Sequence, residues 1–519
     1  MKKLAIASSL ALGLAACATP SGEPENALPD FEGEALRAME AFDATGMAAA
    51  ITVDGEVVFQ AAYGKADEGT DAPLTEDMLL PVASISKAFT TTALAILVDR
   101  GLVEWDAPVR TYIPEFAMYD PWVSEHFTVR DALTHRSGLP LGAGDLLFWP
   151  DSYSTAGDII AALPHLRPST EFRAAYAYDN LLYIVAGEIV ARASGESWAD
   201  FVRAEIFEPV GLEECATDYT RMRDEQTLMT GHERAPGEEE GVPVDERTLF
   251  KPEHAAAAGL VCPASDMMIW AQFWLDGAET KDGERIISEK QARELWTGVT
   301  PKRSGGSFNA GASHMQLYAL GWNITDFEGT LMVSHSGGAP GVTSNFILLP
   351  EKNIGIFASS NDYRGTASTF TTQIADDLLG GRQYDYIAAS GERFAKSIAE
   401  AQAALAGAVS PPTDAAAPSL PLAAYTGVYR DAWYGDVTIS MKDGKLFIDM
   451  SRSEILDGSL SHYDGDRFVA FWPDRSLKAD AFVTFTEEDG KITRMAMEAV
   501  SDITDFSYDF HDLDLVRVD

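Results

Sequence analysis

Helical patterns of apolar residues dominate the chain before residue 410. Two stretches are apolar on nearly every side, which is typical of helices buried all round: the run from Ser84 to Val98 and the run from Leu181 to Val190. Gly101 and Gly195 follow these runs, and a left-handed glycine ends a helix at little steric cost. The pattern therefore predicts two buried helices.

Other segments show one apolar face or a helix start. Phe31–Phe42 is amphipathic, Thr128 begins a short capped helix predicted to end at Ser137-Gly138, and Pro263 precedes a helix with Ser265 or Asp266 as its cap. His135, beside the end of the second of these helices, is assigned a structural hydrogen bond and not catalysis. Two more helices are predicted over 367–379 and 388–409.

Strand patterns occur between the helices. Asp54-Gly55 separates two apolar runs, 48–53 and 57–63, and predicts an antiparallel hairpin. The polar region 277–315 suits loops around a cleft. Further strands are predicted over 317–325, 331–334, 345–350 and 354–359.

After residue 419 the apolar period changes to two. Short strands are predicted over 437–441, 446–450, 467–471, 481–486 and 493–499. The dipeptides Asp443-Gly444, Asp464-Gly465 and Asp489-Gly490 supply hairpin corners. A stiff Pro-rich and Ala-rich stretch, 411–418, precedes this region. The pattern predicts a small antiparallel barrel or sandwich of about 100 residues.

The N-terminus has the pattern of an exported protein. Residues 1–16 combine two lysines with an apolar run too short to span a bilayer, which indicates a signal peptide. Leu14-Ala15-Ala16-Cys17 resembles the bacterial lipobox, in which the cysteine is lipidated. Residues 17–30 then form a lipidated tether without core-forming residues. We expect a lipoprotein of the bacterial outer membrane that faces the periplasm.

Composition narrows the classes of partner. A chain of 519 residues with 46% hydrophobic content is globular and long enough for two or more domains. The net charge of −41 argues against nucleic acid and anionic membrane surfaces, so membrane contact is expected only through a lipid at Cys17. The oligomeric state stays open. Cys215 and Cys262 either form a disulfide or remain buried thiols, and the sequence does not decide between these states.

Candidate chemistry begins at Ser84 and Lys87, at the start of the first buried run. If a helix begins at Ser84, Lys87 lies one turn along the same face and its amine reaches the serine oxygen. Chance alone can place a serine three residues before a lysine, but a lysine in an apolar helix requires a partner or a function. The pair is interpreted as a nucleophile and its activating amine.

Two further motifs follow in order: Tyr178-x-Asn180 before the second buried run, and His335-x-Gly337 at the end of a predicted strand. With Ser84-x-x-Lys87 they resemble the three signatures of the serine β-lactamase and penicillin-binding-protein superfamily. They are most similar to its class C-like branch, which includes D-alanyl-D-alanine carboxypeptidases, D-aminopeptidases and esterases.

The resemblance implies an α+β fold over 31–385, with an antiparallel sheet flanked by helices and an all-helical subdomain. A helix and Pro-rich and Ala-rich linker over 386–419 then leads to residues 420–519, which resemble the lipocalin-like β-barrel appended to some of these hydrolases.

The same resemblance implies catalytic roles. Ser84 attacks a carbonyl carbon, and Lys87 and Tyr178 share the transfer of its proton to the leaving group. Which of these two groups is the general base stays open. No cofactor or metal is expected, because neither His-x-x-x-His with an internal glutamate nor paired Cys-x-x-Cys occurs.

Substrate contacts are implied for Asn180, His335 and Gly337, and an oxyanion hole for the backbone N–H groups of Ser84 and Gly338. His335 occupies a position where many β-lactamases carry lysine, which favours a peptidase or esterase over an efficient β-lactamase. The predicted function is a serine hydrolase that acts through an acyl-serine on a small-molecule or peptide substrate, namely an amide, a peptide (peptides with D-amino acids included) or an ester. The alternatives are a penicillin-binding sensor that is acylated but turns over poorly, and a ligand-binding protein that uses the C-terminal barrel.

Overall fold

The computed structural model describes residues 28–234, 241–244, 251–303, 313–382, 384–408, 411–501 and 504–518. The predicted signal peptide, Cys17 and most of the tether lie outside these residues. Among the described residues, the helices are all too short or too polar to cross a membrane. The predicted fold class is confirmed: an α+β unit with a large antiparallel sheet flanked by helices precedes a closed antiparallel barrel.

The strands of this unit are β1 (Gly46–Val53), β2 (Glu56–Asp67), β3 (Ala72–Pro73), β4 (Leu80–Pro81), β5 (Gly231–Glu233), β6 (Val242–Val244), β7 (Val261–Cys262), β8 (Thr300–Lys302), β9 (Gln316–Tyr318), β10 (Asn323–Phe327), β11 (Thr330–Ala339), β12 (Val342–Leu349) and β13 (Ile354–Ser360). The large sheet has the strand order β3-β2-β1-β13-β12-β11-β10-β9-β8, and β4 with β7 and β5 with β6 form two small pairs.

Helices cover the sheet and form a cluster beside it. They are α1 (Phe31–Phe42), α2 (Ser86–Asp99), α3 (Pro121–His126), α4 (Val129–Ala132), α5 (Ala156–Ala162), α6 (Leu181–Ser194), α7 (Trp198–Val202), α8 (Glu208–Val210), α9 (Ala255–Ala258), α10 (Ala264–Leu275), α11 (Glu289–Leu295), α12 (Thr366–Leu379) and α13 (Tyr386–Ala408).

The central strands are buried on both faces. In β1, Met47, Ala49 and Ile51 pack into the core shared with α1 and α12, while Ala48 and Ala50 belong to the core on the opposite face. Side chains alternate between the two faces of a strand, so a strand covered on both sides is apolar throughout. The second core also contains α2, which explains why that helix has almost no polar face.

Several local predictions differ from the structure. The strand predicted over 317–325 is two strands, β9 and β10, separated by a turn in which Gly321 has a φ of 81°. The helix that begins at Thr128 ends at Ala132, and His135 adopts a φ of 51° that no right-handed helix permits. Asp266 does not cap α10; its carboxylate accepts backbone N–H bonds from Glu214 at 2.8 Å and from Cys215 at 3.2 Å.

The C-terminal region forms a closed eight-stranded barrel. Buried side chains fill its interior, among them Tyr429, Ile448, Phe468, Phe485 and Met495. Eight strands enclose a space just wide enough for such side chains. The filled interior argues against the ligand-binding alternative. The strands are β14 (Gly427–Asp431), β15 (Gly435–Lys442), β16 (Lys445–Met450), β17 (Gly458–Asp464), β18 (Arg467–Phe471), β19 (Ala481–Glu488), β20 (Lys491–Ala499) and β21 (Leu515–Arg517).

Cys215 and Cys262 form a disulfide with their Cα atoms 4.2 Å apart, which settles the alternative that the sequence left open. The bond joins the loop after α8 to β7, and the two cysteines are 47 residues apart in the sequence.

Replacing both cysteines by serine should lower the free energy of unfolding by about 3 to 4 kcal/mol, because the unfolded chain gains conformational freedom when the loop is opened. Urea unfolding of the oxidised wild type and the double variant measures the difference. A reducing agent should shift the midpoint of the wild type but not that of the variant. Equal midpoints for the two oxidised proteins would contradict this assignment.

Candidate active site

Ser84 lies in a tight turn at the entrance to α2. The turn Ala83–Ile85 is a 3₁₀-helix, so the regular helix begins at Ser86 and not at Ser84 as predicted. Ala83 has a φ of 47°, a backbone conformation that is costly for a residue with a Cβ atom. The spacing of three residues still places the amine of Lys87 next to the serine hydroxyl, with Nζ 3.1 Å from Oγ.

Strand β11 packs directly against this turn. A Cβ atom on Gly337 would lie 2.2 Å from the carbonyl oxygen of Val82 and 2.4 Å from the Ser344 hydroxyl oxygen, so only glycine fits. On the neighbouring strand, the Ser344 hydroxyl donates to the same Val82 carbonyl at 2.9 Å. The predicted substrate-binding residue Gly337 therefore serves the close approach of the sheet to the Ser84 turn.

Lys87 is fully buried, and three acceptors surround its amine. Nζ donates to Asn180 Oδ1 at 2.9 Å and to the backbone carbonyl of Ala257 at 2.9 Å, in addition to its contact with Ser84. Burial lowers the pKa of Lys87 to about 7, although Asp145 and Asp179 act in the opposite direction. The amine therefore changes its charge near neutral pH, which is the condition for a general base that works at that pH.

Tyr178 and Asn180 precede α6 and face the same amine. Tyr178 lines the same cavity as Ser84, and its ring centroid lies 4.8 Å from Lys87 Nζ. Burial raises the pKa of Tyr178 well above its usual value, so the phenol holds its proton at neutral pH. Asp179, between them, caps α6 by accepting from the Leu182 N–H at 3.2 Å. The segment thus caps a helix and places two polar side chains next to the Lys87 amine.

His335 lies within β11 and is held by the protein through both ring nitrogens. Nδ1 lies 2.7 Å from the Ser336 carbonyl and Nε2 lies 3.0 Å from the Tyr318 hydroxyl. Burial lowers the pKa of His335 to about 3, so the ring is neutral. His335 lines the cavity next to Ser84 without a charge.

His135 is also buried. Its Nδ1 accepts from the Asp179 backbone N–H at 3.1 Å, and its ring packs 4.3 Å from that of Tyr178. These contacts fit the structural role predicted for it.

These groups surround one cavity of about 360 Å³. Ser84, Tyr178, Asn180, His335, Gly337 and Gly338 all line it. Aromatic rings form much of the remaining wall: Phe148, Trp149, Tyr176, Tyr318, Tyr363 and Phe506. The structure therefore brings the three predicted motifs to one place. Among the residues that the structure describes, no group of three or more His, Cys, Asp or Glu side chains is arranged to hold a metal ion.

Two parts of the site lie outside the three predicted motifs. Asp145 is fully buried and accepts from Asn180 Nδ2 at 2.9 Å. The segment 505–507, which follows the last long strand of the barrel, contributes to the cavity wall. A single aspartate within the apolar stretch 141–150 was a signal for the first, since a carboxyl in such surroundings requires partners. No local pattern indicated the second, because it comes from another part of the chain.

Comparison with known protein families settles the family. The Beta-lactamase family model matches residues 36–379 of the chain. The chain belongs to the beta-lactamase family. A second model, a domain of unknown function called DUF3471, matches residues 411–517. The beta-lactamase-family match includes all three motifs, and the second match includes the barrel.

Two curated relatives are hydrolases by name. Unguisins hydrolase ungD of Aspergillus violaceofuscus is 25% identical over 85% of this chain and 82% of its own length. The D-alanyl-D-alanine-carboxypeptidase/endopeptidase AmpH of Escherichia coli is 26% identical over 66% of this chain and 85% of its own length. This beta-lactamase-family chain is thus similar to a protein named as a hydrolase and to one named as a peptidase.

A solved structure resembles both parts of the chain. The octameric penicillin-binding protein homologue from Pyrococcus abyssi matches with a TM-score of 0.59 and 18% sequence identity, covering 94% of this chain and 99% of its own. At this identity the match supports the fold of the beta-lactamase-family chain and its C-terminal barrel.

Replacing Ser84 by alanine should abolish covalent labelling by a fluorophosphonate probe, because the replacement removes the oxygen that would form the bond. The melting temperature should stay within about 2 °C of the wild type, since Ser84 contributes one hydrogen bond. Intact-mass spectrometry and thermal unfolding measure the two quantities. Labelling that persists in the variant would place the nucleophile elsewhere.

The rate of acylation should rise with pH through about 7 and level off above it, because only the neutral form of Lys87 can accept a proton. Tyr178 keeps its proton and His335 stays neutral across this range, but the Asp179 carboxyl, with its pKa raised to about 7 by burial, titrates alongside the amine. Stopped-flow rates with a chromogenic ester give the profile. A flat profile between about pH 5 and about pH 9 would contradict a role for a neutral amine.

Proposed function

We propose that this chain is a serine hydrolase that forms an acyl-serine from an amide or a peptide, including peptides that contain D-amino acids, or from an ester. One observation carries the proposal: the Ser84 hydroxyl lies 3.1 Å from a fully buried amine whose pKa is lowered to about 7, at the wall of an accessible cavity. Burial of a lysine beside a serine is the arrangement that activates a hydroxyl without a metal.

The proposed reaction has two stages. Ser84 Oγ attacks the substrate carbonyl while its proton passes to Lys87, directly or through Tyr178, and the leaving group then takes that proton. The backbone N–H groups of Ser84 and Gly338, both at the cavity wall, would stabilise the tetrahedral oxyanion. Water attacks the acyl-serine in the second stage, and the same groups return the proton to Ser84.

The walls of the cavity favour an apolar acyl group next to the scissile bond. Seven of the lining residues are Phe, Tyr or Trp, and such aromatic surfaces bind apolar groups by excluding water. His335 provides no positive charge, and the cation among the described lining residues, Lys302, donates to Asn323 Oδ1 at 2.6 Å. A peptidase or esterase is therefore favoured over an efficient β-lactamase. The names of the two hydrolase relatives, one a D-alanyl-D-alanine carboxypeptidase, support the same choice.

The proposed place of action is the bacterial cell envelope. The apolar N-terminal run and the cysteine at its end favour an outer-membrane lipoprotein that faces the periplasm. A disulfide between Cys215 and Cys262 also suits that oxidising compartment. Envelope peptides are then available as substrates.

Intact-mass measurements with a D-amino-acid amide, a short-chain ester and a β-lactam should test this proposal. We expect a transient acyl adduct and multiple turnovers with the amide or the ester, and slower turnover with the β-lactam. The Ser84→Ala variant is the control. A stable adduct with every substrate would favour the sensor alternative, and the absence of any adduct and any turnover would overturn the proposed hydrolysis.

A further inference from the structure

A short turn of the hydrolase unit lies between the catalytic residues and the barrel. This turn, residues 142–146, carries Asp145 and is bonded on both sides. On one side the Gly142 N–H donates to the Tyr178 carbonyl at 2.9 Å and Asp145 Oδ2 accepts from Asn180 Nδ2 at 2.9 Å. Both partners belong to the motif that precedes α6.

On its other side the turn is bonded to the C-terminal segment 505–509. Ser507 Oγ donates to Asp145 Oδ2 at 2.9 Å, the same oxygen that accepts from Asn180. Asp509 accepts from the Gly144 N–H at 2.6 Å and from the Leu146 N–H at 3.1 Å. A Cβ atom on Gly142 would lie 2.6 Å from the Phe506 ring. The barrel therefore holds the turn by contacts that are largely buried.

The orientation of Asn180 depends on these contacts. A side-chain amide has an oxygen that accepts and a nitrogen that donates. With the Asp145 carboxyl as acceptor for Nδ2, the Asn180 oxygen faces the Lys87 amine and accepts from it at 2.9 Å. Without an acceptor at Asp145, no hydrogen bond from Nδ2 holds the Asn180 amide in that orientation. If the amide turned over, its N–H groups would point at the Lys87 amine.

From this chain of contacts we propose that Asp145 and Ser507 are positioning residues: they fix the Asn180 amide against Lys87, so the C-terminal barrel completes the active site. The proposal rests on the hydrolase function proposed above. The carboxyl groups of Asp179 and Asp509 and the Lys87 amine surround Asp145, and burial with these two carboxyls raises the pKa of Asp145 well above its usual value. A carboxyl that tends to keep its proton acts here as a hydrogen-bond acceptor, and its role does not require a charge.

Two replacements of Asp145 separate the acceptor from the charge. Asp145→Asn keeps a carbonyl oxygen at the position of Oδ2, which accepts from Asn180 and Ser507. Its NH2 group takes the position of Oδ1, which has no hydrogen-bond partner among the described residues. Asp145→Ala removes the acceptor. We expect kcat to fall about 10- to 100-fold in Asp145→Ala with little change in KM, and to stay within about threefold of the wild type in Asp145→Asn.

Replacements in the barrel supply the matched pair. Ser507→Ala removes one of the two donors to Asp145 and should lower kcat by about 3- to 10-fold. Ser453→Ala is the control, because Ser453 is a buried barrel serine whose hydroxyl has no hydrogen-bond partner among the described residues. It should leave kcat and KM unchanged. Thermal unfolding of all four variants identifies losses that arise from instability.

Unchanged kcat in Asp145→Ala, or an equal loss in Asp145→Asn, would overturn the proposal, as would a loss confined to KM. Crystal structures of the two Asp145 variants give a readout that needs no activity: Asn180 should leave Lys87 Nζ in the alanine variant and keep its place in the asparagine variant. An inactive wild type with this structural result would overturn hydrolysis but not the positioning. Asn180 unmoved in Asp145→Ala would overturn the positioning alone.

Discussion

The desolvated amine of Lys87 is the constraint on which this structure depends. An ammonium group loses several kcal/mol of hydration when it is buried, and the loss must be offset by hydrogen bonds or avoided by loss of the proton. Here three oxygens from three segments meet the amine: Ser84 in the turn before α2, Asn180 before α6, and Ala257 in α9. Those segments are far apart in sequence, and their packing is what makes the lysine tolerable inside an apolar helix.

The same requirement explains how rigidly the surroundings are fixed. The Ser84 turn contains a residue with a positive φ, and β11 and β12 support it through Gly337 and Ser344. A strained turn persists only where its neighbours determine its conformation. The lysine side is supported in turn by Asp145 and the C-terminal segment. The sheet, the helical cluster and the barrel therefore each hold one side of a site about as wide as a few side chains.

Local sequence patterns predicted the elements whose conformation is decided locally. The Asp54-Gly55 hairpin and α1 agree with the structure because turn chemistry and helical period are properties of adjacent residues. The extent of β11 was missed: His335, Gly337 and Gly338 lie inside the strand, and pairing with β12 keeps two glycines extended. The sequence pattern also did not predict three barrel strands, β14, β17 and β21, because pairing with neighbouring strands stabilises these short segments.

In the candidate site, too, local motifs identified some residues, whereas contacts between distant segments place the others. Motifs identified Ser84, Lys87, Tyr178 and Asn180, because the members of each pair are two or three residues apart at the start of a buried helix. Asp145 and Ser507 were not, because their meaning comes from contact between residues 362 positions apart. A motif records which groups react, whereas the groups that orient them can come from any segment that folding brings near.

Burial shifts the pKa values of Lys87 and of the carboxyl groups around it. Burial favours the neutral form of every ionisable group, so it lowers the pKa of the amine and raises that of nearby carboxyls. Lys87 and Asp179 reach similar pKa values of about 7 from opposite directions, and the pKa of Asp145 also lies well above its usual value. Near neutral pH the cluster can therefore exist with a neutral amine beside protonated carboxyls. The burial of Asp145 and Asp179 beside Lys87 therefore fits a neutral amine. A permanent ion pair would keep a proton on the amine, which must be free to accept the proton of Ser84.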